Sequence, residues 1–235
     1  MICLRFLCRN DRTLMSSRID LEGATRRSVR DESVGTSFMK NHAYALLFAS
    51  GTPMLLGGDE FARTQRGNNN AYCQDNDISW FDWDLAAKND DLVEFFRKAI
   101  GFVRRYPILQ RRRFALGVDL DDDQIPDLKW FGTGGDGDSP HWNDPEARTL
   151  CMQLDASTEQ GELTGERLFF INNANFTPQW VNLPSLDNGA RWHRAIDTSL
   201  APGLDFAEDG QEIALSPNDH YIANARSTVA LIGKV

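Results

Sequence analysis

The stretch from Gly51 to Trp83, GTPMLLGGDEFARTQRGNNNAYCQDNDISWFDW, constrains the fold of this chain more than any other segment. It contains a short apolar run, Met54–Leu56, which ends at Gly57-Gly58 and is followed by polar and charged residues without periodicity. A short buried strand followed by a polar loop is typical of α/β scaffolds, where the loop at the carboxyl end of the strand carries functional side chains. We therefore predict a buried strand at Met54–Leu56 and a functional loop after it.

Helical patterns lie on both sides of this stretch. The run FMKNHAYALLFAS is apolar nearly all round, and it predicts a helix that begins after Thr36 or Ser37 and ends at Gly51. The run DLVEFFRKAIGFVRRY has apolar residues three and four apart and basic residues near its carboxyl end. It predicts an amphipathic helix capped by Asn89 or Asp90.

From Gln110 onward the pattern changes to short runs rich in β-branched and aromatic residues, separated by Gly, Pro, Asn and Asp. Regularly spaced runs of this kind are typical of an antiparallel β-sandwich. Eight strands are predicted: Leu128–Phe131, Arg148–Leu154, Arg167–Asn172, Gln179–Leu183, Arg191–Asp197, Glu212–Leu215, His220–Ala223 and Thr228–Ile232.

Two sets of residues together resemble one known family. The first set is Gly51-Thr52-Pro53-Met54, Gly57-Gly58-Asp59-Glu60-Phe61, Arg63-Thr64, Asn68-Asn69-Asn70-Ala71-Tyr72, Asp75-Asn76, Ile78-Ser79-Trp80 and Trp83. The second set is Asp127, Trp130, Gly132 and the segment from Trp142 to Leu150. They resemble the isoamylase and glycogen-debranching branch of the α-amylase superfamily. The resemblance implies that the first set forms the last strand of a (β/α)8 barrel and the loop beyond it.

The predicted fold class is therefore α/β plus all-β. Residues 37–109 are expected to be the last helix, strand and helix of a (β/α)8 TIM barrel, and residues 110–235 a carboxyl-terminal antiparallel β-sandwich. Residues 1–36 remain unassigned, although Ser17–Thr25 faintly resembles the family's segment before the last barrel helix.

Glycoside hydrolysis requires two carboxylates across one bond, about 5–5.5 Å apart in a retaining enzyme. Asp59 and Glu60 are adjacent, and adjacent side chains at the end of a strand point to opposite faces. We therefore expect one of these carboxylates to face the barrel mouth and the other to be held in a structural network. The resemblance implies an Asp nucleophile, a Glu acid/base and a third Asp that follows a His, yet none of these segments occurs here. We assign no catalytic residue and expect this chain alone to be inactive.

Five residues of the loop are candidates for substrate binding: Asp59, Arg63, Asn69, Asn70 and Tyr72. Amide and guanidinium groups suit the recognition of sugar hydroxyls. The consecutive asparagines are equally suited to folding the loop through hydrogen bonds from side chain to backbone. Trp80 and Trp83 are candidates for stacking on a sugar, although indoles at this spacing more often seal a core.

The resemblance implies a parent activity, the hydrolysis of α-1,6-glucosidic branch linkages in glycogen or a related glucan by double displacement, without a cofactor. The implied partners are a branched α-glucan, such as glycogen or a limit dextrin, and the missing amino-terminal part of the barrel. Two alternatives stay open: a non-catalytic glucan-binding module, which would hold glucan through aromatic rims of the sandwich, and a purely structural fragment.

Other classes of function are not supported by the sequence. A net charge of −9 argues against nucleic acid or an anionic membrane as partner. The four cysteines and four histidines have no metal-ligand spacing, so we expect no metal site and free, buried thiols in a reducing cytoplasm. The run Gly132–Gly137 fits a dinucleotide fingerprint on paper, but Pro140 follows too soon for the required helix. The acidic run Asp119–Asp123 lacks the Gly and Glu of a calcium loop and is expected to be a linker.

Overall fold

The computed structural model describes residues 29–111, 114–120, 124–155 and 167–234, and for residues 29–34 the backbone alone. Most of the unassigned segment 1–36 therefore lies outside the described residues, as do positions 121–123 of the acidic run. None of the helices in the described part of the chain is long and apolar enough to cross a bilayer. The chain divides into two compact units, residues 1–101 and 102–235, which are described in turn.

The helices of the first unit are α1 (Val29–Leu47), a 3-10 turn (Asp59–Phe61), α2 (Asp84–Lys88) and most of α3 (Asp90–Arg105). Lys40 of α1 is buried, with Nζ 3.5 Å from the Asp91 carboxylate and 5.7 Å from the centroid of the Phe95 ring. Helices α1 and α3 are therefore in contact. The spacing of apolar residues that predicted an amphipathic helix buries one face of α3: Leu92, Phe95, Phe96 and Ala99.

The prediction that α1 begins after Thr36 or Ser37 is wrong, because the helix begins at Val29. Ser and Thr are only weakly disfavoured inside helices, so a hydroxyl side chain does not by itself mark a helix start. The helix also ends earlier than predicted, at Leu47, while Gly51 follows with a φ of 132° that favours glycine.

The prediction of a buried strand at Met54–Leu56 is also wrong for this chain. Residues 52–56 have no regular secondary structure, and Met54 and Leu56 are 85% and 61% exposed. A strand forms only when its backbone groups pair with those of a neighbouring strand, and residues 29–101 contain no strand that could pair with this segment. The segment therefore runs exposed from α1 to the loop.

Asn89 begins α3 through its backbone and not through a side-chain cap. Its carbonyl accepts hydrogen bonds from the amides of Leu92 and Val93 at 3.0 and 3.1 Å. Its side-chain Nδ2 instead donates to the carbonyls of Phe61 and Leu85, both at 3.1 Å. Asn89 thereby ties the start of α3 to the loop that contains Phe61.

Within its described residues the second unit has eight strands, one for each of the eight predicted runs. They are β1 (Leu128–Phe131), β2 (Thr149–Asp155), β3 (Arg167–Asn173), β4 (Gln179–Asn182), β5 (Arg191–Asp197), β6 (Ile213–Ala214), β7 (His220–Ala223) and β8 (Ser227–Lys234). All pairings are antiparallel, and they form a six-stranded sheet of order β1-β2-β3-β8-β5-β6 and a two-stranded sheet of β4 and β7.

The two sheets enclose a common hydrophobic core. Because side chains alternate along a strand, the odd-numbered residues of β3 and β8 face the two-stranded sheet. Val181 of β4 and Ala223 of β7 reach this core from the other side. From the six-stranded sheet the buried members are Phe131, Cys151, Phe169, Ile171, Trp192, Val229 and Leu231. The second unit is thus an antiparallel β-domain with two packed sheets.

Asp127, immediately before β1, anchors the segment that leads into the sheets. Its carboxylate is buried and accepts hydrogen bonds from the amides of Leu116, Gly117 and Val118 at 2.7–3.3 Å. It also forms an ion pair with Arg111, whose Nη1 lies 2.8 Å from Oδ2. One carboxylate therefore satisfies three backbone donors and one cation, which explains why an acid is buried here.

The glycine-rich run after β1 is a turn built around Asp138. The Asp138 carboxylate accepts a hydrogen bond from the amide of Gly134 at 2.8 Å. A Cβ added at Gly132 would lie 2.2 Å from the same carboxylate, so the absence of a side chain is a packing requirement. Turns and irregular backbone, with no helix, connect Gly132 to β2, and this connection gives no helix amino terminus for a pyrophosphate.

Candidate functional site

The candidate site is the signature loop, residues 57–83, which lies in the first unit. Its first turn is tight: Gly58 has a φ of 101°, and a 3-10 helix over Asp59–Phe61 follows directly. Glu60 supports this turn, because its Oε2 accepts a hydrogen bond from the Gly58 amide at 2.8 Å. The Asp59 side chain is exposed instead. The two adjacent carboxylates therefore have different surroundings, one bound into the turn and one open to solvent.

Arg63 connects the two ends of the signature loop. Its Nη2 donates to the carbonyl of Ser79 at 2.7 Å, and its guanidinium lies 4.9 Å from the centroid of the Phe81 ring. Its Nε is buried without a hydrogen-bond partner. At Gly58 a Cβ would come within 2.6 Å of the Arg63 side chain, so glycine is needed for this close approach as well as for the turn.

The asparagines of the loop have unequal roles. The Asn68 side chain accepts from the amide of Asn70 at 2.9 Å, and the Asn70 side chain accepts from the amide of Tyr72 at 3.3 Å. Both contacts fold the loop locally, as asparagine commonly does in turns. The Asn69 side chain is exposed and makes no hydrogen bond within the described part of the chain.

Aromatic residues form an open cluster on the loop. The rings of Phe61, Phe81 and Trp83 lie 5.5–6.1 Å apart, and only Phe61 is buried. Trp80 donates from Nε1 to Asp75 at 2.9 Å and is 61% exposed. The interpretation that Trp80 and Trp83 seal a core does not hold in the first unit, because the two residues are 61% and 68% exposed.

The five predicted substrate-binding residues do not form one connected cluster. The Tyr72 side chain is 95% exposed, and Asp59 and Asn69 are also exposed. Among the described residues, Asn70 and Tyr72 are joined by one hydrogen bond, whereas no ion pair joins Asp59 to Arg63. The side chains of Asp59, Asn69 and Tyr72 have free hydrogen-bonding groups, while Arg63 and the exposed Asn70 shape the loop.

Sequence reasoning missed a second group of side chains, on the outer face of the two-stranded sheet. Trp180 and His220 stack in parallel, with ring centroids 3.6 Å apart and an angle of 13° between the planes. Trp180 is 56% exposed. The alternation of β4 was the available signal: a strand that buries Val181 must turn Trp180 and Asn182 outward. The pairing with His220, 40 residues later, required the register between β4 and β7.

The thiols and other acidic or metal-binding groups give no second site. Cys151 is buried as predicted, whereas Cys73 is exposed, contrary to the expectation that both are buried. Burial, together with the negative charge of Asp138, raises the pKa of the Cys151 thiol well above its ordinary value. Within the described residues, no three His, Cys, Asp or Glu side chains are grouped to hold a metal ion.

Comparisons with known proteins agree across both units. Residues 127–232 match the family model described as isoamylase, C-terminal. The glycogen operon protein GlgX homolog of Mycobacterium tuberculosis is 44% identical over 202 residues, which cover 82% of this chain and 27% of that protein. The glycogen debranching enzyme of Dickeya chrysanthemi is 42% identical over 166 residues, which cover 71% of this chain and 22% of the relative.

Solved structures agree on the fold. The crystal structure of pullulanase type I from Bacillus subtilis, complexed with maltose, superposes with a TM-score of 0.60 at 18% sequence identity. The match covers 88% of this chain and 24% of that one. The chain thus spans about a quarter of the length of the proteins it matches. It belongs to the isoamylase and glycogen-debranching branch of the α-amylase superfamily, and it corresponds to the carboxyl-terminal portion of those proteins.

Proposed function

We propose that this chain is the carboxyl-terminal part of a debranching glycosidase that hydrolyses α-1,6-glucosidic branch linkages in glycogen or a related glucan. The observation that carries the proposal is the similarity to a glycogen debranching enzyme over 71% of the chain. The signature loop, residues 57–83, is the part of the chain that carries candidate substrate-binding groups. We place the protein in the cytoplasm, where the exposed Cys73 would remain a thiol.

The first unit would supply the end of a (β/α)8 barrel. In this proposal residues 37–109 are its last helix, strand and helix, and residues 110–235 are the domain that follows the barrel. The exposed, unpaired segment Met54–Leu56 supports this role, because an apolar run of this kind requires neighbouring strands to cover it. The partner that covers it would be the amino-terminal part of the same barrel.

The chain would contribute to substrate binding but not to bond cleavage. A retaining glycosidase needs an acid/base and a nucleophile about 5–5.5 Å apart. Glu60 is held by the Gly58 amide, while Asp59 is exposed, so the two do not face a common site. Asp59, Asn69 and Tyr72 have exposed groups for sugar hydroxyls, and Arg63 with Asn70 fixes the backbone that presents them.

Two assays test this proposal together. The purified chain is expected to release no reducing ends from glycogen. A chimera, in which residues 37–235 replace the matching portion of the Dickeya chrysanthemi debranching enzyme, is expected to release them. The intact enzyme is the positive control, and the same enzyme without the replaced portion is the negative control. A folded but inactive chimera would contradict the proposal, and so would turnover by the chain alone.

A further inference from the structure

The outer face of the two-stranded sheet has the form of a small aromatic platform. It consists of the four outward side chains of β4 and β7, namely Trp180, Asn182, His220 and Ile222, and is called here the Trp180 platform. In the register of the sheet Trp180 lies opposite Ile222, and Asn182 lies opposite His220. Trp180 and Ile222 are 56% and 51% exposed. Two neighbouring apolar side chains thus stay in solvent on a sheet whose other face buries Val181 and Ala223.

The indole of Trp180 is held in one orientation. His220 covers one of its faces, and its Nε1 donates to Asn182 Oδ1 at 2.8 Å. Asn182 is itself fixed, since its Nδ2 donates to the carbonyl of Gly134 at 3.2 Å. Trp180 is nevertheless 56% exposed, so part of the indole remains open to solvent. An aromatic ring that is already immobilised loses little conformational entropy when a ligand stacks on it.

The strand β7 that carries His220 is anchored on its inner side. Tyr221 donates its hydroxyl hydrogen to Asp197 at 2.6 Å, and the carbonyl of Asp219 accepts from the amide of Leu183 at 2.8 Å. These contacts join β7 to both sheets of the core. The platform is therefore part of a rigid element, which is the arrangement that a preformed binding surface requires.

A charged acceptor stands at the edge of the platform. The Asp219 side chain is 81% exposed, and its Oδ1 lies 2.7 Å from His220 Nδ1. This hydrogen bond holds the pKa of the Asp219 carboxyl below its ordinary value, so the group is ionised at neutral pH. Its Oδ2 is available to accept hydrogen bonds from hydroxyl groups.

The size and charge of the platform decide what kind of ligand fits. One indole and one isoleucine side chain offer far less area than the roughly 800 Å² per partner of a stable protein interface. A carboxylate at the edge disfavours anions, including nucleic acids, and favours a neutral ligand rich in hydroxyl donors. A ligand with a flat apolar face and a rim of hydroxyl groups matches both features, and a pyranose ring has this form.

We propose that the Trp180 platform binds a glucosyl unit of an α-glucan chain, with the C–H face of the sugar on the solvent-exposed part of the indole. The choice of an α-glucan, among neutral sugars, rests on the function proposed above. The platform would be a second contact for the polymer, separate from the signature loop. It would hold glycogen to the second unit without taking part in cleavage.

The test is the affinity of the full-length chain for glycogen, measured by retardation in gels that contain glycogen, and for maltoheptaose by titration calorimetry. Trp180→Ala is expected to weaken both by about two- to tenfold, a loss that an aromatic stacking contact of ordinary strength accounts for. Trp180→Phe should retain most of the affinity. Trp142→Ala is the matched control, since Trp142 is 54% exposed and packs against Trp130 of β1 instead of a residue of the platform. Near-ultraviolet circular dichroism verifies the fold of each variant.

Several results would overturn the inference. The first is that the wild-type chain does not bind maltoheptaose at millimolar concentration. The second is an equal loss of affinity in Trp180→Ala and Trp142→Ala. The third is that Trp180→Ala loses self-association and keeps its affinity for the sugar. Activity of the chimera on a short branched oligosaccharide depends on the proposed debranching function and not on the platform. An active chimera whose isolated chain binds no glycogen would therefore reject the platform alone, and a binding chain with an inactive chimera would reject the debranching function alone.

Discussion

At the scale of single residues, Asp127 is the clearest case of a side chain whose removal has a calculable cost. Its carboxylate satisfies the Arg111 guanidinium and three backbone amides, and it is 1% exposed. Asp127→Asn removes a negative charge 2.8 Å from the half-buried Arg111 guanidinium and cannot accept the same set of hydrogen bonds. We expect a loss of about 3 kcal/mol in the free energy of unfolding, measured by urea denaturation of the full chain.

Asp187→Asn is the matched control for Asp127. Asp187 also pairs with an arginine, Arg167 at 3.3 Å, but its side chain is 70% exposed. An exposed pair of this kind contributes less than about 1 kcal/mol. Similar losses in the two variants would mean that burial of Asp127 does not determine its contribution.

Cys151 gives the second unit a dependence on alkaline pH. The thiol is fully buried, and its pKa is raised above the ordinary value of 9.0. Above that value the unfolded chain loses the thiol proton while the folded chain keeps it, so the unfolded state binds fewer protons and stability falls as pH rises. The expected slope is about 1.4 kcal/mol per pH unit, beginning near pH 9.

The measurement is urea denaturation at several values between pH 7 and pH 10.5, with Cys151→Ala and Cys73→Ala as a pair. Cys151→Ala should lower stability at pH 7 through the lost methyl-sized volume but remove this slope. Cys73 is exposed, so Cys73→Ala should retain the slope of the wild type. An unchanged slope in Cys151→Ala would assign the alkaline effect to another group.

At the scale of elements, the sequence predicted those features of the fold that depend on residues close together in the chain. The strands of the second unit were all located, because alternating apolar residues and turn residues are local signals. Their order was not predictable, since β8 lies between β3 and β5 through contacts across about 30–60 residues. Met54–Leu56 has the composition of a buried strand, but a strand exists only with a neighbouring strand, and the described residues of the first unit, 29–101, contain no strand.

Arg63 is expected to hold the signature loop together as one element. Arg63→Ala removes the hydrogen bond to Ser79 and the contact with Phe81, and we expect chymotrypsin to cut after Tyr72 and Trp80 faster in the variant than in the wild type. Arg66→Ala is the matched control, because Arg66 forms only a surface pair with Asp77 in which both side chains are 59% exposed. Equal cleavage of the two variants, read by mass spectrometry, would show that Arg63 does not organise the loop.

At the scale of the whole molecule, sequence reasoning located the loop but not the geometry of a site. Residue types and their order identified the family, and the different environments of Asp59 and Glu60 follow the expected division between an open and a tethered carboxylate. The use of Asn68 and Asn70 to fold the loop, and the stacking of Trp180 on His220, both depend on backbone geometry and strand register. Those quantities are set by non-local packing, which a single sequence does not reveal.

The exposed apolar residues of the first unit predict how the chain behaves alone in solution. Met54, Leu56 and Trp83 are each more than 60% exposed and Phe81 is 45% exposed, so the surface of the first unit presents several large apolar side chains to water. We expect the chain to self-associate through this surface as its concentration rises. Sedimentation velocity between 2 and 100 μM (about the range in which weak association is visible) measures the effect.

Lysine substitutions identify the surface responsible. Met54→Lys with Leu56→Lys is expected to shift the chain toward monomer, since a charge on an exposed edge opposes association at little cost to folding. Leu204→Lys, in the second unit, is the matched control, because Leu204 is 63% exposed but lies outside this surface. If the double variant associates as strongly as the wild type, the surface around Met54 does not drive assembly. That result would also remove the support for the proposal that the rest of a barrel covers Met54–Leu56.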